Sequence, residues 1–326
     1  MIQLWLDSLD VAHSSRKQYG STLTRLQAWL SDRGQRLGDL KTGMVLAWLE
    51  SLIPIDASQT MIMPATNNRH RAAIRGFCEH HEITIKLPPL KINKKREQYI
   101  PTRDEVVRIF SAPIEIAEQS GHGDIVERNT LILSLSALMG LRKEEIIELT
   151  IADAYTTASG DRVLSAGQAE EVAAKLRLIG KGSKRRFLAI PEDVSDLIWE
   201  YLGTRSAVSS NNWLFPSPEK GNEDNHLKPS TIDSMWSRVK QHVGLPENTR
   251  GIHALRHYFA TQMIDSELAD VPPEKRDEAL KAAVKKLKRM LGHVLDATTE
   301  GYIHALMDWT SEADKIAMSK AAEGML

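Results

Sequence analysis

The sequence predicts a mainly helical protein of two domains, the second of which carries a small antiparallel β-sheet. The chain has 326 residues, which is enough for two domains. Apolar residues recur at helical spacing along most of it. Residues 86–101 interrupt this pattern with a basic, proline-containing stretch typical of a linker. We therefore expect domains at residues 1–93 and 97–326.

Helices account for the first domain. Ser14 and Ser15 can cap a helix whose apolar face continues to Gly34. Further apolar faces predict a helix over residues 42–52 and another from residue 67 onward. The last of these is expected to direct three arginines outward, a pattern equally typical of a solvated helix face: Arg69, Arg71 and Arg75.

The second domain is mixed but mainly helical. Thr102 and Glu105 have the spacing of a capping box, so a helix begins there. Strand character at 162–165, 175–180 and 185–190, with a glycine-containing turn between the last two, predicts the sheet. Further helices are expected over 129–141, 143–149, 192–202, 230–243, 253–265, 276–291, 298–307 and 310–324.

Composition excludes several classes of protein. The sequence contains no apolar stretch long enough to span a membrane and no secretory signal. A single cysteine, Cys78, can form neither an internal disulfide nor a zinc site, so we expect a cytoplasmic protein. The net charge is −1, but residues 1–96 hold 14 Lys and Arg against 8 Asp and Glu. A positive first part is compatible with nucleic-acid binding.

Two segments carry cations at positions suited to binding phosphate. Arg142 lies at a junction between two predicted helices, with Glu145 three residues later. Taken alone, this pair is more typical of a surface ion pair. Residues 180–186, Gly-Lys-Gly-Ser-Lys-Arg-Arg, place glycines and clustered cations at a hairpin tip, where a backbone can approach phosphate closely or merely be solvated.

Two later segments add histidines and a tyrosine. His253, Arg256 and His257 share one helical face. Because no acidic residue of a His-Glu-x-x-His motif lies between the histidines, we discount a metal site. Tyr302 follows His293 by nine residues.

In this order and spacing, the four segments resemble the tyrosine recombinase, or phage integrase, family, which includes Xer, Cre and lambda-type proteins. The family pattern is Arg, Lys, His-x-x-Arg, His and Tyr. The resemblance covers about residues 100–310 by motif, and reaches the first domain only through its helical, basic character. The pattern is matched here by Arg142, Lys181, His253, Arg256, His293 and Tyr302.

The resemblance implies a helical, SAM-like core-binding domain and a tyrosine recombinase catalytic domain. It also implies cleavage of DNA through a 3′-phosphotyrosine, in integration, excision or resolution of a mobile element, plasmid or chromosome dimer. The expected roles are nucleophile for Tyr302, phosphate binding for Arg142 and Arg256, base for His253, hydrogen-bond donor for His293, acid for Lys181, and orientation of Arg142 or a histidine for Glu145.

The expected partner is double-stranded DNA with inverted half-sites, bound by a homotetramer that exchanges its C-terminal helices. We expect no cofactor, metal or membrane. The basic residues that we expect to contact DNA are Arg69, Arg71, Arg75, Lys94, Lys95, Arg96, Lys184 and Arg185.

Three other functions remain open from the sequence: a type IB topoisomerase, a DNA-binding protein without cleavage, and a metal-dependent nuclease. The helical first domain disfavours the first, the complete pattern disfavours the second, and the lack of clustered carboxylates disfavours the third. Residues 265–286 exceed the spacing expected of a compact Xer-like protein. They form either a contact with DNA or a protomer, or simply a longer connection.

Overall fold

The computed structural model describes residues 1–11, 13–52, 64–91, 99–121, 123–179, 185–208, 211–219, 221, 224–249 and 251–292. The chain divides into two compact units, Met1–Arg96 and Glu97–Leu326. The predicted helices over 298–307 and 310–324 lie outside the described residues. So do seven of the predicted site residues: Lys94, Lys95, Arg96, Lys181, Lys184, His293 and Tyr302.

The first unit is helical wherever the structure describes regular elements. The three predicted helices are confirmed with shifted ends, and a further short one precedes them. A Cβ on Gly76 would lie 3.0 Å from Trp5 Cζ2, so this glycine lets the first helix pack closely on the last. The helices are α1 Ile2–Ser8, α2 His13–Ser31, α3 Thr42–Ser51 and α4 Pro64–His80.

Arg71 was predicted to face outward, and this was wrong. Its side chain is buried, with Nε donating to Asn67 Oδ1 at 2.7 Å and Nη1 to the Pro88 carbonyl at 2.9 Å. The reason is that the extended segment after α4 folds back over this arginine. Arg69 is exposed and Arg75 is half-buried.

The second unit contains the remaining helices that the structure describes. The predicted capping box is confirmed, because Thr102 Oγ1 accepts from the Glu105 backbone N at 3.3 Å and Glu105 Oε2 accepts from the Thr102 backbone N at 2.8 Å. The helices are α5 Arg103–Ser120, α6 Val126–Met139, α7 Lys143–Ile147, α8 Ile151–Ala154, α9 Glu192–Val208, α10 Pro229–Val243, α11 His253–Leu268 and α12 Arg276–Leu291.

The strands form two small antiparallel sheets within the described residues. β1 (Tyr155–Thr156) pairs with β2 (Glu171–Val172). β3 (Lys175–Ile179) pairs with β4 (Arg185–Ala189), as predicted. The strand predicted at 162–165 was wrong, because this segment makes only a single bridge, from Arg162, before it turns.

α6 is the central helix of the second unit and is buried on most of its faces. α12 packs on α11 through a smaller apolar cluster, which includes Ile264 and Leu287. Residues 265–286 therefore form the end of α11, a short connection and the start of α12. None of the helices described in either unit has the length and apolar character needed to cross a membrane.

Candidate functional site

The turn between α6 and α7 places Arg142 at the start of a helix. α6 ends at Gly140, whose φ of 67° lies in the left-handed region. A Cβ here would lie 2.5 Å from Phe259 Cδ1 and 2.8 Å from Leu291 Cδ2, so glycine is required by the backbone and by the close approach of α11 and α12. Arg142 is the N-cap residue of α7, and its side chain is 31% exposed.

Glu145, in the first turn of α7, is buried at the centre of the site. It accepts from the Arg142 backbone N at 2.9 Å and from Arg142 Nη1 at 3.0 Å. Arg186 of β4 donates both terminal nitrogens to its two oxygens, each at 2.9 Å. Arg256 Nη1 of α11 lies 3.7 Å from Oε2. Among the described residues, three guanidinium groups thus surround one carboxylate, and we call these four residues the arginine cluster.

The charge of the arginine cluster keeps Glu145 ionised. Burial raises the pKa of its carboxyl, but the hydrogen bond and charge of Arg186, the backbone hydrogen bond of Arg142 and the charge of Arg256 together hold this pKa below its usual value. The cluster therefore combines three cations with one anion. Such a surplus favours binding of a further anion, and planar guanidinium groups suit phosphate.

The C-terminal end of α12 supplies carbonyl oxygens to all three guanidinium groups. Leu291 O accepts from Arg142 Nη1 at 3.2 Å and from Arg256 Nη2 at 2.9 Å, while Met290 O accepts from Arg186 Nε at 3.0 Å. The last carbonyls of a helix have no partner within the helix and carry the negative end of its dipole. The guanidinium groups therefore cap the C-terminal end of α12, and the carbonyls of α12 in turn hold these groups in position.

Arg256 is fully buried. Besides Leu291, it donates from Nη1 to the Gly140 carbonyl. The ends of α6 and α12 thus determine where this guanidinium lies.

Arg186 is the cluster residue that the sequence patterns did not single out. It lies two residues before the buried Leu188 and therefore on the same face of β4, whereas Arg185 lies on the exposed face. An arginine on the inner face of a strand needs an anionic partner. Strand alternation was thus the signal that could have found it.

His253 and His257 stand one turn apart on α11, with ring centroids 5.0 Å apart and ring planes at 87°. His253 is accessible to solvent at the first turn of the helix. Even so, the protein packed around its ring and the charges of Arg256 and Arg142 lower the pKa of His253 to about 4. Its imidazole is therefore neutral at physiological pH and can accept a proton.

Of the predicted catalytic pattern, the described residues Arg142, His253 and Arg256 come together, and Glu145 joins them. Gly292, the last described residue before His293, packs against the cluster, since a Cβ there would lie 2.9 Å from Arg186 Nη1. In the described ranges, no group of three or more His, Cys, Asp or Glu side chains is placed to hold a metal ion.

Comparison with known proteins gives relatives along most of the chain. A model of the phage integrase family matches residues 100–272. Tyrosine recombinase XerC of Pelobacter propionicus is 27% identical over 271 residues, covering 80% of this chain and 76% of the relative. Tyrosine recombinase XerD of Pseudomonas aeruginosa is 24% identical over 310 residues, covering 92% and 89%.

Solved structures share the fold. XerH site-specific recombinase bound to difH substrate, in a pre-cleavage complex, aligns with a TM-score of 0.57 at 20% identity, covering 88% of this chain and 75% of that one. The Tn1549 transposon integrase in complex with transposon right end DNA aligns with a TM-score of 0.53 at 17% identity, covering 97% and 99%.

Proposed function

The chain belongs to the phage integrase family, the tyrosine recombinases, and on this premise we propose that it cuts and rejoins DNA strands at specific sites through a 3′-phosphotyrosine at Tyr302. The observation that carries the proposal is the arginine cluster. Its surplus positive charge, with Arg142 partly exposed, suits a phosphate, and the neutral His253 beside it suits proton transfer.

In the proposed reaction, the Tyr302 oxygen forms a bond to the scissile phosphorus while the bond to the 5′-oxygen breaks. Negative charge grows on the non-bridging oxygens in the transition state. Arg142 and Arg256 bind these oxygens with planar forks that a lysine cannot replace. Glu145 orients Arg142.

Two protons move in this scheme. A tyrosine phenol ordinarily has a pKa near 10, so Tyr302 must lose its proton as it attacks, and the neutral His253 accepts it. Lys181 gives a proton to the departing 5′-oxygen, and His293 donates a hydrogen bond to a non-bridging oxygen. The phosphotyrosine retains the bond energy, so a 5′-hydroxyl can attack it and rejoin a strand. No step in this scheme uses a metal or nucleotide.

We further propose that a homotetramer acts in the cytoplasm on double-stranded DNA with inverted half-sites. The DNA complexes of XerH and the Tn1549 integrase support DNA as the partner. Residues 1–93 would form the core-binding domain and residues 97–326 the catalytic domain. Arg71 is withdrawn as a contact because its described bonds serve the fold. The remaining proposed contacts are Arg69, Arg75, Lys94, Lys95, Arg96, Lys184 and Arg185.

Tyr302→Phe tests this function directly. A nicked suicide substrate, on which cleavage releases a short fragment, is incubated with the protein in EDTA and resolved on a denaturing gel. We expect the wild-type chain to form a covalent adduct and the variant to bind the DNA without forming one. An adduct that persists in Tyr302→Phe would overturn the assignment of the nucleophile.

Tyr258→Phe is the matched control, because this tyrosine lies on the helix of the proposed base His253 but is buried. It is expected to form the adduct.

A second experiment separates a recombinase from a topoisomerase. Recombination between two sites is scored beside relaxation of supercoiled plasmid. Relaxation without recombination would favour the topoisomerase.

A further inference from the structure

Arg186 is not part of the family pattern, yet its side chain makes several hydrogen bonds in the arginine cluster. Its two terminal nitrogens bind both oxygens of Glu145 at 2.9 Å, and its Nε binds the Met290 carbonyl at 3.0 Å. The side chain is 13% exposed, against 31% for Arg142. Arg186 is thus directed into the protein and held at three points.

The three arginines of the cluster differ in how closely they bind Glu145. Arg186 forms a two-pronged pair with the carboxylate, whereas the Arg142 side chain reaches it through one nitrogen, at 3.0 Å. Arg256 is at 3.7 Å, beyond a hydrogen bond. Arg186 therefore supplies most of the neutralisation of Glu145, which leaves the forks of Arg142 and Arg256 less committed to it.

The bond to Met290 adds a second anchor. Met290 directly precedes Leu291, whose carbonyl holds both Arg142 and Arg256. The Arg186 guanidinium also packs on Gly292, where a Cβ would lie 2.9 Å from its Nη1. By holding the end of α12, Arg186 fixes the carbonyl that positions the other two cations.

We infer that Arg186 is a positioning residue, which holds Glu145 and the end of α12 so that Arg142 and Arg256 are placed to bind the scissile phosphate. This inference rests on the proposed function. Arg186 itself does not touch the phosphate. Its loss is therefore expected to slow cleavage by about 10- to 100-fold, the scale for groups that orient a ligand-binding side chain, with little change in DNA affinity.

The test compares Arg186→Ala with the wild-type full chain on two suicide substrates. One carries the native scissile phosphodiester, and the other a methylphosphonate, in which a neutral methyl group replaces one charged oxygen. Misplaced arginines matter less when there is less charge to stabilise. We therefore expect the variant's defect to be clearly smaller on the methylphosphonate than on the phosphodiester.

Arg177→Ala is the matched control. Arg177 lies on the neighbouring strand β3 and pairs with a buried carboxylate, Asp153, so its removal also leaves a buried anion without its cation. A purely structural effect changes the cleavage of both substrates by the same factor. Arg177→Ala, at a temperature where it remains folded, is expected to cleave both substrates at close to the wild-type rates, with no selective defect on the phosphodiester. Arg186→Lys keeps the charge but replaces three separate nitrogens with one, so it cannot reproduce the planar two-pronged pair with Glu145 and is expected to remain defective. It also carries the test if Arg186→Ala does not fold.

The outcomes separate the two claims. If the wild-type chain forms the Tyr302 adduct and the Arg186 variants cleave normally, or lose equally on both substrates, the positioning role is overturned while the proposed function stands. If the wild-type chain forms no adduct on the phosphodiester, both are overturned. A selective defect on the phosphodiester supports both.

Discussion

Two buried carboxylates in the second unit occupy almost the same local structure. Glu145 lies in the first turn of α7 and Asp153 in the first turn of α8, and each accepts from the backbone N three residues earlier. Each also pairs with an arginine from the same hairpin, Arg186 from β4 and Arg177 from β3. The two carboxylates therefore share their local backbone structure and their burial.

The difference lies in the charge around each carboxylate. Asp153 forms an ion pair with Arg177 and also interacts electrostatically with Arg162, and the N-cap residue of α8 is the neutral Thr150. The N-cap residue of α7, the helix of Glu145, is Arg142, and the arginine cluster adds two more cations. Two arginines therefore act on Asp153 and three on Glu145, so the larger surplus of positive charge lies at the arginine cluster and favours a further anion there. The comparison indicates that surplus charge, rather than burial or capping geometry, distinguishes the site.

The largest effect is expected from Arg142→Ala. Losing one of the groups that stabilise charge in the transition state should slow cleavage by about two to three decades, or about 3–4 kcal/mol. Arg256→Ala is expected to fall in the same range. Arg142→Lys should not rescue, because a lysine lacks the planar fork. Single-turnover cleavage of the suicide substrate at saturating protein measures this.

Arg177→Ala provides the contrast at the Asp153 site. At a temperature where it remains folded, it is expected to cleave the native substrate at close to the wild-type rate. Near-normal cleavage by Arg142→Lys would refute phosphate binding by the fork. A loss in Arg177→Ala equal to that in Arg142→Ala would remove the distinction between the two carboxylates.

The second prediction exchanges the carboxylates for amides of the same shape. Glu145→Gln should slow cleavage by about 10- to 100-fold, because Arg142 loses its anchor. DNA affinity should not fall, since the site becomes more positive. Asp153→Asn should lower the free energy of unfolding by about 1–3 kcal/mol, the scale of a weakened buried hydrogen bond, without slowing cleavage. Urea unfolding, gel shifts and cleavage rates of both variants decide whether the two carboxylates differ in function or only in position.

Most helices were predictable from sequence because their apolar spacing is local. The capping box at Thr102 and the hairpin of β3 and β4 were found by short-range rules. The site was predicted from the order of the motif residues. Glu145 was predicted because it is only three residues from Arg142.

Contacts between distant segments were not predictable. Arg186 meets Glu145 across 41 residues, so no local pattern reports the pair. Arg71 is buried only because the chain after α4 returns over it. The strand predicted at 162–165 had suitable residues but no partner strand, as its single bridge shows. In each case the deciding partner is distant in the sequence.

The third prediction compares two glycines with left-handed backbones, Gly140 beside the arginine cluster and Gly160 in an open turn. Alanine at either position should cost about 1–2 kcal/mol of stability for the backbone alone. At Gly140 a Cβ also meets Phe259 and Leu291, whereas at Gly160 it meets nothing within 4 Å. Gly140→Ala should therefore exceed Gly160→Ala by about 1–3 kcal/mol, the scale of overpacking. Equal losses in thermal unfolding would show that α11 and α12 do not press on this turn.

The last prediction concerns the pKa of His253. Its expected change is the smallest effect and the most sensitive test of the surplus charge. Its pKa of about 4 lies below the ordinary 6.5, so the neutral form persists as the pH falls from 6.5 toward 4. Because the folded pKa is the lower one, protonation favours the unfolded state, and this contribution to stability is lost across that same window.

Arg142 is one of the charges that lower the pKa of His253, so Arg142→Ala should raise this pKa toward the ordinary value. Titration of ¹³C-labelled histidine by NMR measures both values, with His253→Gln assigning the resonance. A His253 resonance that titrates near 6.5, or is unmoved by Arg142→Ala, would show that the surplus charge of the cluster does not reach the proposed base.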